Sequence, residues 1–414
     1  MAKTFLDFEK AIEKSLEVST VTIFTEIVNI EDSLGRIISE DITCVKNLPS
    51  FNNSAMDGFA IKASDAGKTL KVKMTIFAGD SIDASLEEGE CYKIMTGAKV
   101  PSDVDTIIPI EDVVFYEEDK VTFKEEVKKG ACLRVKGEEV SLGSTLFKKG
   151  EVINSSKVAV LASQGLTKIK VFKPLSIAVV STGNELKEPW EQATEDEIFN
   201  CNSYALISLL NEKGFQSTYM GVVPDSLEKS IAFVNSLKNY DVIITTGGIS
   251  MGDADFVGQA FVENGLEIAF HGVNVKPGRP IMMGTMKKEI GQTFVMCLPG
   301  NPLTAMVNMH LFAIPVLNKI QGSNYIYHDI TIGKNIEQFK TKTGRVNLVL
   351  GSCNKGEFKV TRRNKYGSGM ITVLDESNSI VVTNEERAGI EVGDSVKVIR
   401  FNCSYLKEQT NIFN

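Results

Sequence analysis

The chain has 414 residues, of which 43% are hydrophobic and 24% are charged. This composition is typical of a soluble globular protein with roughly two to four domains, and it excludes disordered and fibrous classes. The formal net charge of −8 disfavours nonspecific binding to nucleic acid. A pocket for an anionic small molecule therefore has to come from a local basic cluster.

The N-terminal stretch MAKTFLDFEKAIEKSLEV has apolar residues at helical spacing, which predicts an amphipathic helix and not a signal peptide. No apolar run approaches the roughly 20 residues of a membrane span, so we expect a soluble protein with no membrane partner. The seven cysteines are scattered singly and the chain has only three histidines, which argues against a structural zinc site. Scattered thiols suit a reducing cytosol, where most of them are expected to be small core residues.

Residues 172–323 alternate between apolar β-rich runs and amphipathic helices of ordinary length. SIAVVS, for example, ends in the loop TGNEL, and the helix NSYALISLLNEKGF begins at Asn202 or Ser203 and ends at Gly214. Alternation of this kind predicts a parallel sheet with helices on both faces, which is a three-layer α/β domain. In such sheets ligands bind beyond the carboxyl ends of the strands.

The rest of the chain has the pattern of smaller, mostly β domains. Residues 46–145 carry short stretches such as LKVKMTIFAG and CYKIMTGA, and residues 324–414 carry others, including RVNLVLGSC, MITVL and SIVVTN, which suggest a small β-barrel or sandwich. Residues 1–45 and 146–171 form a linking domain with the N-terminal helix. The predicted fold class is therefore multidomain α/β: a three-layer α/β domain, a β-rich insertion domain, a linking domain and a C-terminal β-barrel.

The segment NLPSFNNSAMDGFAI, residues 47–61, contains many small and polar residues that make a poor core but a good ligand surface. Asp57 is its one carboxylate and is followed at once by Gly58. A glycine there permits a positive φ angle or a close approach to a ligand. The segment also fits a plain surface turn before a strand, since asparagine and serine favour turns.

Polar loops follow three of the predicted strands: TGNEL after SIAVVS, the Gly247–Gly248 pair after DVIIT, and Pro299, Asn301 and Pro302 after TFVMC. Glycine-rich loops that lead into helices expose backbone N–H groups, which bind phosphate together with the helix dipole. Each loop alone is also compatible with an ordinary strand-to-helix turn.

Four acids, Glu185, Asp225, Asp253 and Asp255, fall at predicted strand ends. Clustered carboxylates repel one another unless a cation or a proton offsets the charge, which predicts a divalent metal. Mg²⁺ suits oxygen-only ligation by one or two carboxylates and substrate phosphates. The alternative is that Asp253 and Asp255 cap the helix that begins near Asp255.

Positive charge is concentrated in VKPGRP, with Lys276 and Arg279, and in LRVKGEEV, with Arg134 and Lys136. These side chains are candidates for holding an oxyanion or a phosphate, arginine through its planar fork and lysine as a point charge. A solvated charged turn is the alternative. Thr96, in MTGA, adds a hydroxyl beside a glycine at a strand end, a pattern too common to argue from alone.

Eight motifs run through the chain in order: LPSFNNSAMDGFAI, IMTGA, LRVKGEEV, STGNEL, TTGGISMGDADF, VKPGRP, LPGNPLTAMV and YGSGMITVL. With them the chain closely resembles the molybdopterin molybdenumtransferase family, the enzymes of the last step of molybdenum-cofactor synthesis, related to the C-terminal domain of gephyrin. The resemblance covers nearly the whole chain. It implies an elongated homodimer of four-domain subunits, in which the α/β domain holds the pterin and the partner subunit's β-rich domain completes the site.

The family's substrates are adenylylated molybdopterin and molybdate. The resemblance implies metal-dependent hydrolysis of the phosphoanhydride, release of AMP and insertion of molybdenum into the dithiolene, with Mg²⁺ held by Glu185, Asp253 and Asp255. The catalytic residues that it implies are Asp57 and Thr96 from the other subunit, with Glu185 and Asp255. The substrate-binding residues that it implies are Asp225, Gly247, Gly248, Ser250, Lys276, Arg279, Arg134, Lys136, Pro299, Asn301, Pro302 and Ser368.

The chain departs from the family pattern at several positions. Gly272 stands where many members carry a lysine, Asn52 and Asn184 replace acids, Phe59 replaces a tyrosine, and Pro224 stands where some members have an acid. These departures bear on individual ligand roles.

Two rival functions stay open at this stage. A molybdopterin adenylyltransferase shares the α/β domain but has no counterpart of the SAMDG segment, the β-rich insertion or the C-terminal barrel. A non-catalytic scaffold like gephyrin is the other rival, and retention of Asp57, Glu185 and Asp255 argues against it. The upstream adenylyltransferase is a candidate partner, and the sequence leaves open whether a partner delivers the substrate.

Overall fold

The fold comes from a computed structural model, which describes residues 5–81, 83–224, 226–248, 256–401, 405–406 and 413. The chain forms two compact units. The smaller one, called here the β-rich unit, contains Asp41–Lys148 and Ala159–Leu166. The larger one, called the α/β-barrel unit, contains Met1–Glu40, Lys149–Val158 and Thr167–Asn414. The four domain boundaries inferred from the sequence stay predictions.

The β-rich unit is built on one six-stranded sheet with apolar side chains on both faces. In the strand Gly58–Ile61, Phe59 and Ile61 join one core cluster and Ala60 joins another, as the two-residue period of a strand requires. Phe59 packs edge-on against Tyr116, with ring centroids 4.9 Å apart. In spatial order the strands are Thr106–Pro109, Gly58–Ile61, Glu90–Ile94, Thr69–Ile76, Lys120–Thr122 and Phe115–Glu117.

Two short antiparallel pairs complete this unit. One joins Asn53–Ser54 to Leu133–Arg134, and the other joins Ile42–Thr43 to Thr145–Phe147. The first pair sets the LRVKGEEV segment beside the SAMDG segment. The 3-10 turns of the unit are Ala63–Asp65 and Ile110–Asp112.

The α/β-barrel unit contains a second six-stranded sheet. Its strands, in spatial order, are Ser217–Val222, Ile177–Ser181, Val242–Thr246, Gln292–Leu298, Met282–Lys287 and Leu266–His271. The first four are mutually parallel, and the last two run antiparallel to their neighbours. The sheet is therefore mixed, and the prediction of an all-parallel sheet was wrong.

The antiparallel edge arises because Met282–Lys287 and Gln292–Leu298 follow one another directly. Their register runs from Lys287 opposite Gln292 to Met282 opposite Cys297. The intervening residues 288–291 are too few for a crossover helix, which a parallel connection needs. Apolar runs in the sequence indicate where buried strands lie, but they do not indicate the direction of Met282–Lys287.

Helices cover both faces of this sheet, as predicted. Inward residues alternate: Val179 and Ile244 join the core under one face, whereas Ala178 and Ile243 join the core under the other. The helices of the first face are Phe8–Val18, Asn202–Glu212, Pro302–Asn308 and Ile314–Ile320, and those of the second are Leu227–Ser236 and Phe256–Glu263.

The predicted C-terminal helix of this domain is interrupted by a π turn, Met309–Ala313. Pro315 stands one residue into the next helical segment, Ile314–Ile320. Proline has no N–H to donate to the carbonyl four residues earlier, and its ring crowds that carbonyl, so the backbone widens just before it.

The run Pro302–Ile320 is long and apolar enough to span a membrane, so the statement that no such run exists was wrong. Its apolar window is 83% buried within the unit. Burial of this degree is typical of a core helix in a soluble protein, with which the structure is consistent.

The C-terminal part of the unit forms a closed five-stranded barrel, as predicted. Its strands, in order around the barrel, are Val346–Asn354, Glu357–Val360, Ile330–Asn335, Ser395–Arg400 and Ser379–Thr383, and the last pairs again with the first. A sixth short strand, Val275–Lys276, pairs in parallel with Val346–Asn354 and connects the barrel to the α/β part.

MITVL does not form the predicted strand. Thr372–Asp375 is instead a helical turn, in which Val373 is fully buried and accepts a hydrogen bond from the Ser377 hydroxyl at 2.7 Å. β-branched residues favour strands only where a neighbouring strand offers a pairing edge, and here the closed barrel offers none.

The remaining short elements lie at the edges of these layers. They are the strand pairs Thr25–Asn29 with Lys168–Phe172, Leu186–Lys187 with Ile198–Phe199, Tyr327–His328 with Tyr405–Leu406 and Phe339–Lys340 with Gly389–Ile390, the helix Ser155–Ser163, and the 3-10 turns Ile30–Asp32 and Thr361–Asn364. Four of the six described cysteines are buried, so most thiols are core residues as expected.

Candidate functional site

The three polar loops at the strand ends converge in the α/β-barrel unit. The N–H of Gly247 donates to the carbonyl oxygen of Leu298 at 3.0 Å, and the hydroxyl of Thr182 donates to the carbonyl oxygen of Thr246 at 2.9 Å. The side-chain amide of Asn202 donates to the carbonyl oxygen of Gly300 at 2.7 Å. Loops that are far apart in sequence therefore form one continuous polar rim.

Glycine is required at both positions of the Gly247–Gly248 pair. Their φ angles are +81° and +63°, which residues with a side chain rarely adopt. A Cβ on Gly247 would lie 2.5 Å from the Thr182 hydroxyl, and one on Gly248 would lie 2.9 Å from Cγ2 of Val257. The pair thus brings backbone, without side chains, to the surface of the cavity.

These loops surround a cavity of about 590 Å³, called here the strand-end cavity. The volume suits a heterocyclic ligand with a phosphate tail, since small-molecule pockets span about 300–1,000 Å³. Its predicted site residues are Glu185, Gly247, Gly248, Pro299, Asn301 and Pro302.

Glu185 is the predicted metal ligand that the structure describes. Its side chain is exposed in the cavity and folds over Gly183, whose hypothetical Cβ would lie 2.7 Å from both carboxylate oxygens. Gly183 has a φ angle of +133°. Because Gly183 has no side chain, the carboxylate of Glu185 has room to turn back over the loop.

Four predicted residues lie outside the described residues: Asp225, Ser250, Asp253 and Asp255. Within the described ranges, His, Cys, Asp and Glu side chains form no group of three that could hold a metal. The exposed Glu185 carboxylate offers the oxygen donor that Mg²⁺ prefers and fits a site with one or two protein carboxylates. The metal site stays a prediction.

One wall of the strand-end cavity rests on a polar cluster that the sequence analysis did not find. Glu188 accepts hydrogen bonds from the hydroxyls of Tyr219 (2.6 Å) and Tyr204 (2.8 Å) and from the amide of Asn200 (3.3 Å). Burial raises the pKa of Glu188, but these hydrogen bonds outweigh burial and hold the pKa below its ordinary value. The carboxylate therefore stays ionised and anchors Asn200, which lines the cavity.

A second cavity of about 720 Å³, called here the basic cavity, shares Pro280, Pro299 and Asn301 with the first. Two of its lining residues, Lys276 and Arg279, were predicted as oxyanion ligands, and Ser368 also lines it. The sequence analysis missed the other basic residues, which come from the barrel: Lys340, Lys342 and Arg345. Its described lining contains no aspartate or glutamate.

The turn that carries Lys276 and Arg279 is held from several sides. Lys276 pairs with Asn347 on the barrel strand, and the buried amide of Asn308 donates to the carbonyl oxygen of Gly278 at 2.9 Å. The carbonyl oxygen of Arg279 accepts from the N–H of Val273 at 3.0 Å. The backbone of this turn is therefore fixed while both basic side chains line the cavity.

In the β-rich unit, Asp57 and Thr96 are in direct contact. The backbone N–H and the hydroxyl of Thr96 both donate to Oδ1 of Asp57, at 2.7 and 2.6 Å. The hydroxyl and then the N–H hold the pKa of Asp57 below its ordinary value, against a small opposing effect of burial. The carboxylate is exposed, and the lowered pKa favours its ionised form.

Arg134 and Lys136 lie in the same unit, on a segment that is held to Asn52 and Asn53, which come shortly before Asp57 in the chain. Arg134 is opposite Asn53 in the short strand pair, and the N–H of Lys136 donates to the side-chain oxygen of Asn52 at 2.8 Å. The unit therefore gathers all four of its predicted site residues around the SAMDG segment. The Asn52 side chain therefore links its own segment to the segment that carries Lys136.

The reason for Gly58 differs from the expectation. Its φ angle is not positive, and the close approach is to the neighbouring strand, because a Cβ would lie 2.1 Å from the carbonyl oxygen of Ile108. Gly58 thus allows the strand that follows Asp57 to pack closely against its neighbour, and a ligand contact at Gly58 stays a prediction.

The chain was compared with known proteins. The molybdopterin molybdenumtransferase of Haemophilus influenzae is 30% identical over 406 residues, which is 96% of this chain and 99% of the relative. The chain belongs to the molybdopterin molybdenumtransferase family. The Staphylococcus epidermidis molybdopterin molybdenumtransferase is 28% identical over 411 residues, with 97% of this chain and 96% of the relative covered.

Three family models match in succession: the MoeA N-terminal region (domain I and II) at residues 6–165, the probable molybdopterin binding domain at 178–319, and the MoeA C-terminal region (domain IV) at 333–401. The strand-end cavity lies within the second match. Two crystal structures of molybdopterin biosynthesis MoeA proteins are similar over 96% of the chain. The structure from Pyrococcus horikosii is 28% identical with a TM-score of 0.80, and 99% of that chain is covered. The structure from Pyrococcus horikoshii OT3 is 26% identical with a TM-score of 0.83, and 100% of that chain is covered.

The molybdopterin molybdenumtransferase family was identified above from eight motifs, and the comparisons confirm it. Family membership makes the chain a transferase of molybdenum-cofactor biosynthesis, and the predicted multidomain α/β fold is confirmed as well. The near-complete coverage of both chains disfavours the smaller adenylyltransferase as an alternative.

Proposed function

We propose that the protein inserts molybdenum from molybdate into adenylylated molybdopterin, with hydrolysis of the phosphoanhydride and release of AMP. The observation that carries this proposal is the juxtaposition of two cavities in one unit. The strand-end cavity suits the pterin and its phosphates, and the basic cavity, with five cationic side chains, suits a small oxyanion. They share Pro280, Pro299 and Asn301, so the two ligands would meet.

The strand-end loops bind and orient the nucleotide-linked substrate. The Gly247–Gly248 pair brings backbone to the cavity surface without side chains, which allows a phosphate to approach closely. Glu185 directs a carboxylate into the same space. Together with Asp253 and Asp255 it would hold Mg²⁺, which supplies Lewis-acid polarisation of the phosphoanhydride when bound.

The basic cavity holds the second substrate. Lys276, Arg279 and Arg345 supply positive charge from three backbone positions that hydrogen bonds and strand pairing hold in place. Arginine offers planar donor pairs for an oxyanion and lysine offers a point charge. This arrangement concentrates molybdate beside the pterin and screens the repulsion between two anions.

The β-rich unit completes the site in a homodimer. Asp57 carries a carboxylate that Thr96 keeps ionised, and Arg134 and Lys136 lie in the same unit, so one acidic and two basic groups enter the partner subunit's site together. An ionised carboxylate is suited to orient the attacking water or accept its proton. The cytoplasm is the proposed compartment because the six described cysteines are free thiols, four of them buried, which suits a reducing environment.

A reconstituted assay tests this function. The protein is mixed with adenylylated molybdopterin, Mg²⁺ and molybdate, and AMP is quantified by chromatography. Molybdate-dependent AMP release supports the proposal. Formation of adenylylated molybdopterin from ATP and molybdopterin would instead indicate an adenylyltransferase, and absence of both reactions in a folded dimer would indicate a scaffold.

A further inference from the structure

The segment at the start of the described chain is attached to the basic turn. Leu6 forms a parallel bridge with Val273: its N–H donates to the carbonyl oxygen of Gly272 at 3.0 Å, and its carbonyl oxygen accepts from the N–H of Asn274 at 2.8 Å. These bonds fix the backbone of Phe5 beside the loop that leads to Arg279.

The Phe5 ring occupies space that the loop leaves open. Gly272 has a φ angle of +90°, and a Cβ on it would lie 2.7 Å from Cδ1 of Phe5. The absence of a side chain at this position therefore lets the ring pack against the loop. The ring also faces Arg279, whose Cζ lies 4.3 Å from the ring centroid.

This contact holds a cation without consuming its hydrogen-bond donors. The five N–H donors of a guanidinium lie in its plane, whereas an aromatic ring attracts it through one face. A carboxylate partner would occupy two of those donors and cancel the charge. Arg279 has the aromatic neighbour, and within the described residues its side chain has no carboxylate partner, while the same side chain lines the basic cavity.

We propose that Phe5 is a positioning residue: through its cation–π contact it holds the Arg279 guanidinium in the orientation in which the in-plane donors face an oxyanion in the basic cavity. This inference rests on the proposed function, in which that cavity holds molybdate. A purely structural alternative is that Phe5 only fills the space above Gly272. The two explanations predict different results when a non-aromatic apolar residue of similar size replaces Phe5. Such a residue could fill the space above Gly272, but it could not make the cation–π contact.

The test measures binding of molybdate alone to the full chain by isothermal titration calorimetry. Phe5→Leu keeps apolar bulk but removes the aromatic face, and it should weaken molybdate binding about threefold to tenfold, the range expected for a partly exposed cation–π contact. Phe5→Tyr keeps the face and should bind nearly as wild type does. Phe24→Leu, an exposed phenylalanine of the same unit, is the matched control.

A double-variant cycle shows whether Phe5 acts through Arg279. Phe5→Leu combined with Arg279→Met should bind no more weakly than Arg279→Met alone, because the contact is already lost. Melting temperatures are recorded for all variants, so that a folding defect is separated from a binding defect.

Several outcomes would overturn the inference: unchanged molybdate affinity in Phe5→Leu, equal weakening in Phe5→Tyr, additive losses in the double variant, or no binding of molybdate by the wild-type chain. Failure of the proposed function has a different signature. In that case AMP release is absent in wild type, while the Phe5→Leu effect on molybdate binding is still observed.

Discussion

The strand-end cavity and the basic cavity lie side by side in one unit, yet they are built from different parts of the chain. Backbone lines much of the first, since glycine and proline loops replace side chains along its rim. Side-chain charge dominates the second, with lysines and arginines contributed by both the α/β part and the barrel. A large organic ligand is recognised by shape and backbone donors, whereas a small oxyanion needs concentrated charge.

This difference predicts two kinds of defect. Changes in the strand-end cavity should remove the chemical step, because the proposed function places the groups around the reacting phosphorus there. Changes in the basic cavity should alter the molybdate concentration that the enzyme needs, since charge removal weakens binding of one substrate.

The largest effect is expected from Glu185→Gln and Asp255→Asn, which remove charge without changing side-chain size. Each should lower molybdate-dependent AMP release by about a hundredfold or more, the scale on which loss of transition-state electrostatics acts. AMP is measured by chromatography at saturating Mg²⁺ and molybdate. Glu195→Gln, an exposed acid in the connection between the strands Leu186–Lys187 and Ile198–Phe199, is the control. Wild-type turnover in both variants would contradict the metal assignment.

Subunit mixing tests whether the β-rich unit completes the site of another subunit. Inactive Asp57→Asn subunits are mixed with inactive Glu185→Gln subunits. If the site is shared, heterodimers regain one intact site, and statistical mixing should restore about a quarter of the wild-type rate in a two-fold symmetric dimer. Subunit exchange is confirmed separately by mass spectrometry. No recovery despite exchange would place both residues in the site of one chain or outside it.

Charge removal in the basic cavity should have a smaller and different effect. Lys276→Met, Arg279→Met and Arg345→Met should each raise the molybdate concentration for half-maximal AMP release about tenfold, with little change in the maximal rate, since a charge-assisted hydrogen bond contributes on that scale. Melting temperature should be nearly unchanged. Lys287→Met, an exposed lysine of the same unit, is the control. A large fall in melting temperature with unaltered molybdate dependence would mean that these bases hold the turn together.

The smallest effect concerns pH. The Thr96 hydroxyl and N–H lower the pKa of Asp57, so its carboxylate is ionised above that pKa and becomes protonated as the pH falls through it. Thr96→Val removes the hydroxyl, which raises the pKa and moves the acid limb of the rate profile to higher pH. Because the pKa can at most return towards the ordinary value of 3.8, we expect a loss of up to about twofold below pH 4 and little change at pH 5 and above. Thr43→Val is the control, and coincident acid limbs would contradict the role.

Local signals in the sequence predicted much of the site. The strand-end loops were found because glycine and proline at strand ends carry a conformational requirement, which the φ angles of Gly247 and Gly248 bear out. Asp57 was singled out from its own segment, whereas Thr96 was predicted only from the family resemblance, and the structure joins the two by a hydrogen bond. The predicted roles of Asp225 and Asp253 fall on positions outside the described residues and stay predictions.

Long-range pairing accounts for what the sequence did not predict. The direction of Met282–Lys287 depends on the short turn after it, and apolar content does not reveal that. Arg345 reaches the basic cavity because its barrel strand pairs with Val275–Lys276, a contact of high sequence separation. Likewise Glu188 gains its role only from tyrosines that folding brings to it.

The two-residue strand Val275–Lys276 has a mechanical consequence. It is paired with Val346 and Asn347 of the barrel, while its own chain continues into the turn that carries Arg279. A tilt of the barrel would therefore be transmitted as a displacement of the basic side chains, without any intermediate loop to absorb it. If the basic cavity binds an oxyanion as proposed, its affinity would then depend on the orientation of the barrel.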